Sequence, residues 1–219
     1  MIAKLNKHID HTILKAFATE KDIETLCADA RKYDFASVCI NPRFVPLAKR
    51  LLAGSSVEVC TVIGFPLGAN ATDIKALETR KAYEDGCDEF DMVIAVGALK
   101  DRHLDYVRDD IAAVVKEARG KVVKVIIETF FLNDEEKVLA CKLSAEAGAH
   151  YVKTCTGFNE GVATVHDIEL MKQSVPAGVK VKASSGIRSY ETAIALINAG
   201  AERLGTSAGA KIIADAPKS

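Results

Sequence analysis

The residue that most needs explaining is Lys153, set inside the apolar run Ala149 to Gly157, AHYVKTCTG, which closes in a threonine- and glycine-containing turn. Side chains alternate across a strand, so Tyr151 and Lys153 share one face while Val152 and Thr154 share the other. A lysine at a strand end can lay its alkyl stem on apolar neighbours and send its ammonium to water. A partly desolvated amine instead gives up its proton more readily and attacks carbonyls to form a Schiff base.

The other apolar runs decide between these. From Glu89 to Ile94, Phe90, Met92 and Ile94 make an apolar face opposite Glu89, Asp91 and Val93; from Val122 to Thr129, Val123, Val125 and Ile127 oppose Lys124, Ile126 and Glu128. From Val179 to Ala183, the two valines oppose Lys180 and Lys182. Where helices cover the apolar face, the charged side chains must turn inward, and an unpaired charge there is costly. Asp91, Glu128, Lys124, Lys153 and Lys182 are therefore expected to meet. Such a set suits carbonyl chemistry: one lysine as nucleophile, a second whose charge disfavours the ammonium form of the first, and Asp91 moving protons through a water. Spacing leaves open whether Lys153 or Lys182 is the nucleophile.

The elements that must hold these residues follow a repeat. Gly54, Gly86, Gly120, Gly148, Gly178 and Gly200 recur roughly every 30 residues, each after a helix-like stretch and before an apolar or alternating run. The junctions EDGCDEFDMVI, EAGAHYVKT and NAGAERLGTS read almost alike. Strands are expected at His8–His11, Phe35–Ile40, Val57–Ile63, Glu89–Ile94, Val122–Thr129, the Lys153 run, Val179–Ala183 and Arg203–Thr206. Helices alternate with them, opened by Thr19 with Asp22, by Pro42, by Asn133 with Glu136, by Thr164 with Asp167 and by Ser189. Eight such units predict an α/β fold, a single-domain (β/α)8 barrel spanning 1–214 with a short loose tail at 215–219. A doubly wound open sheet is the rival, but no GxGxxG opens the first unit and no GxxxxGK[ST] occurs.

Two turns carry a second signal. The runs ASSGIRS and GTSAGAK, after the seventh and eighth strands, are small-residue turns leading into helices, where backbone N–H groups can receive an anion. Ser185, Gly186 and Ser207 are the expected contacts to a phosphate, which points to a phosphorylated aldehyde or ketose.

Composition narrows the field. The chain has 219 residues, 49% of them hydrophobic, and a formal net charge of −1 with both signs interspersed. That is enough for one large core and speaks against a nucleic-acid surface. The N-terminal MIAKLNKHIDH lacks an apolar targeting segment and no run has the length of a membrane span, so a soluble, cytoplasmic protein without membrane contact is expected. Self-association to a homodimer or homotetramer is also expected. Cys27, Cys39, Cys60, Cys87, Cys141 and Cys155 fall at irregular spacings and read as reduced core thiols, with Cys39 and Cys155 near strand ends. His8, His11, His103, His150 and His166 form no HExxH or HxH pattern, so no metal site is expected.

The segments IDHTILK, FASVCINPRFVPLAK, VCTVIGFPLGAN, EFDMVIAVGALK, KVIIETFFL, YVKTCTGF, VKASSGIR and GTSAG cover nearly the whole chain. Together they resemble the deoxyribose-phosphate aldolases of the short bacterial type. The resemblance implies reversible cleavage of 2-deoxy-D-ribose 5-phosphate to acetaldehyde and D-glyceraldehyde 3-phosphate, in deoxyribonucleoside catabolism, by a class I Schiff-base route without cofactor. It implies Lys153 as the Schiff-base lysine, Lys182 as the lysine that tunes it, Asp91 as the proton-transfer group and Asp10 in support. It places phosphate near Gly186 and Ser207. Ser185 stands where the family commonly has glycine, and its side chain is expected either to crowd the phosphate or to bond to it. Cys155 replaces a usual serine, and Phe158 stands where some members carry a basic residue. The other readings are a transaldolase-like or keto-acid-phosphate aldolase, and a phosphosugar-binding regulator without catalysis.

Overall fold

Alternating strand and helix patterns of this length close on themselves when each crossover packs a helix against the outside of a parallel sheet. The computed structural model of the protein describes residues 4–217, and in it eight parallel strands pair in sequence order, with β1 also pairing β8, to close a barrel. The strands are β1 Ile9–Ile13, β2 Ser37–Ile40, β3 Glu58–Ile63 and β4 Glu89–Val93, then β5 Val122–Ile126, β6 Tyr151–Lys153, β7 Lys180–Ser184 and β8 Arg203–Thr206. Between them lie α1 Glu20–Tyr33, α2 Val45–Leu51, α3 Thr72–Glu84, α4 Val96–Lys100 and α5 Leu104–Glu117. The outer layer is completed by α6 Asp134–Glu146, α7 Val165–Ser174, α8 Tyr190–Asn198 and α9 Gly209–Ala214.

The helix openings follow the local chemistry. Thr19 and Asn133 form reciprocal capping boxes with Asp22 and Glu136, and Ser189 accepts from the Thr192 amide. Thr164 caps α7 by accepting from the Asp167 amide, but the Asp167 carboxylate turns away to Lys137 at 2.7 Å, so only half of the expected box forms. Asp215 to Pro217 follow α9, while the end of the expected tail, Lys218 and Ser219, lies outside the described residues.

The apolar faces pack outward against the helices. Val38, Ile40, Val59, Phe90, Met92, Val123, Val125, Val152 and Val181 are all fully buried in one cluster with helix residues such as Ile23, Ile111, Ile168 and Leu196. One charged pair is buried in the same layer: Lys75 of α3 donates to Asp110 of α5 at 2.6 Å and to the carbonyl of Val93, at the end of β4, at 3.1 Å. Beside it, Gly68 has a φ of +66°, and a Cβ there would meet the Ile94 carbonyl oxygen at 2.0 Å. Lys75 and Gly68 together fix the end of β4 from outside. Asp110→Ala leaves the Lys75 ammonium without its counter-charge and is expected to lower unfolding stability by about 3–5 kcal/mol, read from denaturant titration. Replacing both residues by apolar ones of similar volume is expected to recover most of that loss.

Candidate active site

The inward faces hold an ionic cluster. Asp91 on β4 is the hub: Lys124 of β5 donates to its Oδ1 at 2.8 Å, and Lys153 of β6 and Lys182 of β7 both donate to its Oδ2, at 2.8 and 2.7 Å. Strand register makes this possible, because Asp91 pairs with Lys124 on the next strand and Lys153 with Lys182 on the next again. Parallel neighbours in register lie about 5 Å apart, so long side chains from three strands converge on one carboxylate. Asp91, Lys124 and Lys182 are fully buried.

A second carboxylate layer supports the first. Asp10 on β1 lies 2.5 Å from the Lys182 ammonium and accepts from Arg203 of β8, whose guanidinium also forks onto both Glu89 oxygens at 3.2 and 2.8 Å. Glu89 in turn pairs with Lys124 at 2.7 Å. Each charge of this cluster thus faces opposite charge, which the low polarity of the interior demands.

These contacts set the protonation states. Burial pushes the Asp91 carboxyl up, but the ammoniums of Lys124, Lys153 and Lys182 override it and hold it well below the usual carboxylate range. Asp10 behaves alike, with Arg203 first among the cations that overcome its burial. Lys182 goes the other way: burial lowers it, but Asp10 and Asp91 raise it above the ordinary lysine value. Lys182 is therefore a fixed positive charge beside Lys153.

Glu128 does not join this cluster. Strand β5 ends at Ile126, and Glu128 takes a left-handed conformation with a φ of +57° before the short 3-10 turn Thr129–Phe131. That rotation carries its carboxylate to the next loop, where Oε2 accepts from the Thr156 amide at 3.1 Å and Oε1 has no partner among the described residues. Arg203, Glu89, Cys39 and Cys60 join instead. The alternation that exposes Asp91 finds all four, since Arg203 precedes Gly205 by two, Glu89 precedes Asp91 by two, and Cys39 and Cys60 lie on the inward faces of β2 and β3.

Above the cluster a cavity of about 600 Å³ opens at the C-terminal ends of the strands. Among its walls are Lys153, Thr156, Ser185, Gly186 and Ser207, so all three residues expected at a phosphate face the same space as the lysine. Such volumes are typical of small-molecule sites. The Ser185 hydroxyl donates to the Gly161 carbonyl at 2.6 Å, and the Ser185 carbonyl accepts from the Ala163 amide at 3.2 Å. Ser185, itself left-handed at a φ of +78°, thus ties the loop after β6 to the turn after β7. Gly186 follows at a φ of +78°, with Val162 2.8 Å from where a Cβ would stand. At the mouth, Phe158 meets Phe65 edge to face at 5.1 Å.

Several proteins resemble this chain in sequence and fold. The family profile of the DeoC/LacD family aldolases matches residues 4–214. A deoxyribose-phosphate aldolase of Streptococcus gordonii is 57% identical over 96% of this chain and 96% of its own length. One of Clostridium tetani is 55% identical over 96% of this chain and 98% of its own. Among solved structures, the tetrameric deoxyribose phosphate aldolase of Aeropyrum pernix superposes with a TM-score of 0.87 at 34% identity, covering 96% of this chain and 89% of that one. With nearly the whole barrel matched in sequence and backbone, the chain belongs to the DeoC/LacD aldolase family.

Proposed function

We propose that the protein is a deoxyribose-phosphate aldolase, cleaving 2-deoxy-D-ribose 5-phosphate reversibly to acetaldehyde and D-glyceraldehyde 3-phosphate with Lys153 as the Schiff-base lysine. The observation that carries this is the position of Lys153: it is the one member of the ionic cluster that lines the cavity, and it is bonded to Asp91 from behind. The family membership and the names of the relatives support the same substrate.

The chemistry runs as follows. The neutral Lys153 amine attacks the C1 carbonyl, and water leaves the carbinolamine to give the imine. The electron-poor imine draws in the C2–C3 bonding pair as the C3 hydroxyl loses its proton, which releases glyceraldehyde 3-phosphate and leaves an enamine. Protonation at C2 and hydrolysis return acetaldehyde and the lysine. Each stage moves a proton, and Asp91 serves these transfers through water entering from the cavity, since its carboxylate lies beneath Lys153 rather than in the wall. Lys182 tunes Lys153 as a fixed positive charge beside its nitrogen, and Asp10 with Arg203 holds Lys182 in place. The phosphate sits at the turn of Ser185 and Gly186 and beside Ser207, held by backbone amides rather than by the committed Ser185 hydroxyl. The catalytic unit is the stretch 1–214, and we infer that it works in the cytoplasm as a homo-oligomer.

The experiment that tests the assignment is borohydride reduction with acetaldehyde, followed by peptide mass mapping. A two-carbon secondary-amine adduct on Lys153 is expected; an adduct on Lys182 alone exchanges the two roles, and none on a folded protein rejects the covalent route. A companion result is expected for Lys182→Met. Lys153 then loses the fixed positive charge beside it and becomes the only lysine on Asp91 Oδ2. Turnover near neutrality is expected to fall about tenfold with the fold retained, and an unchanged pH–rate profile would count against the role of Lys182.

A further inference from the structure

Two thiols inside the barrel take no part in the chemistry above. Cys39 on β2 and Cys60 on β3 are register partners on adjacent parallel strands, and both are free and fully buried. Their parity turns them toward Asp91, with Cys60 Sγ 3.2 Å from Oδ1 and Cys39 Sγ 4.0 Å from Oδ2. The two sulfurs and a carboxylate oxygen of Asp91 all lie within 4.8 Å of one another. In a tetrahedral site with zinc–sulfur bonds of about 2.3 Å, two sulfurs stand roughly 3.8 Å apart. The sheet register brings the strands close enough for that, and side-chain rotation supplies the rest.

The surrounding charge decides what such a site would hold. Asp10, Glu89 and Asp91 face Lys124, Lys153, Lys182 and Arg203, so the interior already leans positive. A hard cation such as Mg²⁺ or Ca²⁺ would bind oxygen alone and add its full charge to that excess. A thiophilic dication that takes two thiolates expels two thiol protons, so the buried net charge stays as it was. Access is short: Cys39 and Cys60 pack against Leu14, and Leu14 is part of the cavity wall.

We propose that Cys39, Cys60 and Asp91 form an inhibitory site for a thiophilic divalent cation of the Zn²⁺ or Cd²⁺ type. Two S–H bonds break, two sulfur–metal bonds form and two protons pass to solvent, with nothing oxidised or reduced. Asp91 turns from the lysine ammoniums to become the third ligand. Aldol turnover stops because Asp91 can no longer serve Lys153, a consequence that rests on the function proposed above; the binding itself does not.

Cadmium titration of the full chain tests this, with the ultraviolet thiolate-to-cadmium charge-transfer band and turnover followed together. One equivalent is expected to raise the band and abolish turnover, and a chelator should reverse both. Cys60→Ala and Cys39→Ser should each lose the band and, against their own metal-free rates, most of the cadmium inhibition. Cys141→Ala, which removes a buried thiol on α6, should keep both responses. No band at saturating cadmium, or a band that survives in whichever of the Cys60→Ala and Cys39→Ser proteins folds, overturns the site. Because the band is read without any reaction, it stands or falls separately from the aldolase assignment.

Discussion

Lys153→Ala is expected to abolish aldol turnover, by on the order of 10⁴- to 10⁶-fold, while leaving the barrel folded. The loss is large because no neighbour can take over the covalent step. Lys124 and Lys182 are fully buried and absent from the cavity wall, so neither reaches a substrate carbonyl. The fold should survive because Asp91 keeps two ammoniums after the change, Lys124 on Oδ1 and Lys182 on Oδ2, and no carboxylate is left bare. Steady-state kinetics, circular dichroism and thermal unfolding check the two halves together. Residual turnover within about a hundredfold of the parent would move the nucleophile elsewhere.

Asp91→Asn should separate stability, imine formation and turnover from one another. The neutral amide removes the counter-charge shared by three ammoniums; Lys124 still has Glu89 and Lys182 still has Asp10, but Lys153 has no other carboxylate within salt-bridge distance among the described residues. Breaking buried pairing of this kind costs about 3–5 kcal/mol. Because the folded Asp91 carboxyl lies below its unfolded value, its stabilising contribution is complete above about pH 5 and fades as pH falls through the unfolded value near 3.9 and on to the lower folded one. The stability gap between parent and variant should therefore be constant from neutrality to mild acid and shrink below that. Lys153, freed of its counter-ion, should still trap acetaldehyde under borohydride, while turnover falls by roughly 10²- to 10⁴-fold for want of the proton-transfer group. Loss of trapping together with turnover would give Asp91 a role in forming the imine itself.

Much of this site could be read in the sequence because a parallel barrel obeys parity. Each strand alternates between helix-facing and interior positions, so charged residues two apart from an apolar face announce themselves. Asp91, Lys124, Lys153 and Lys182 came from that rule alone, and the strand order followed from the repeat. Glu128 shows where the rule stops: the run KVIIET alternates without a glycine or proline, and nothing local marks the end of β5 at Ile126. The left-handed turn there lies against the residue that follows β6, where the Thr154 carbonyl accepts from the Thr129 amide. Arg203 was legible by the same parity, in the alternation of Arg203 and Gly205 against Leu204 and Thr206. Asp10 was not, since the short run around it gives no clear periodicity and its place was implied by the resemblance. Ser185 was legible as a small turn residue, but not the direction of its hydroxyl, which depends on a loop twenty-four residues earlier in the chain.

The burial of the ionic cluster also divides the cavity by its response to ionic strength. Asp91, Lys124 and Lys182 are held out of bulk solvent behind the barrel strands, and charges so placed are little screened. The field at the Lys153 nitrogen is thus insulated from the electrolyte outside. The mouth, with Ser207 exposed and Ser185 half-buried, has less shelter. On the proposed assignment, added salt is expected to raise KM for an anionic substrate captured at the rim and to leave kcat nearly unchanged, so the outer end of the cavity answers to its surroundings while the inner end keeps its rate.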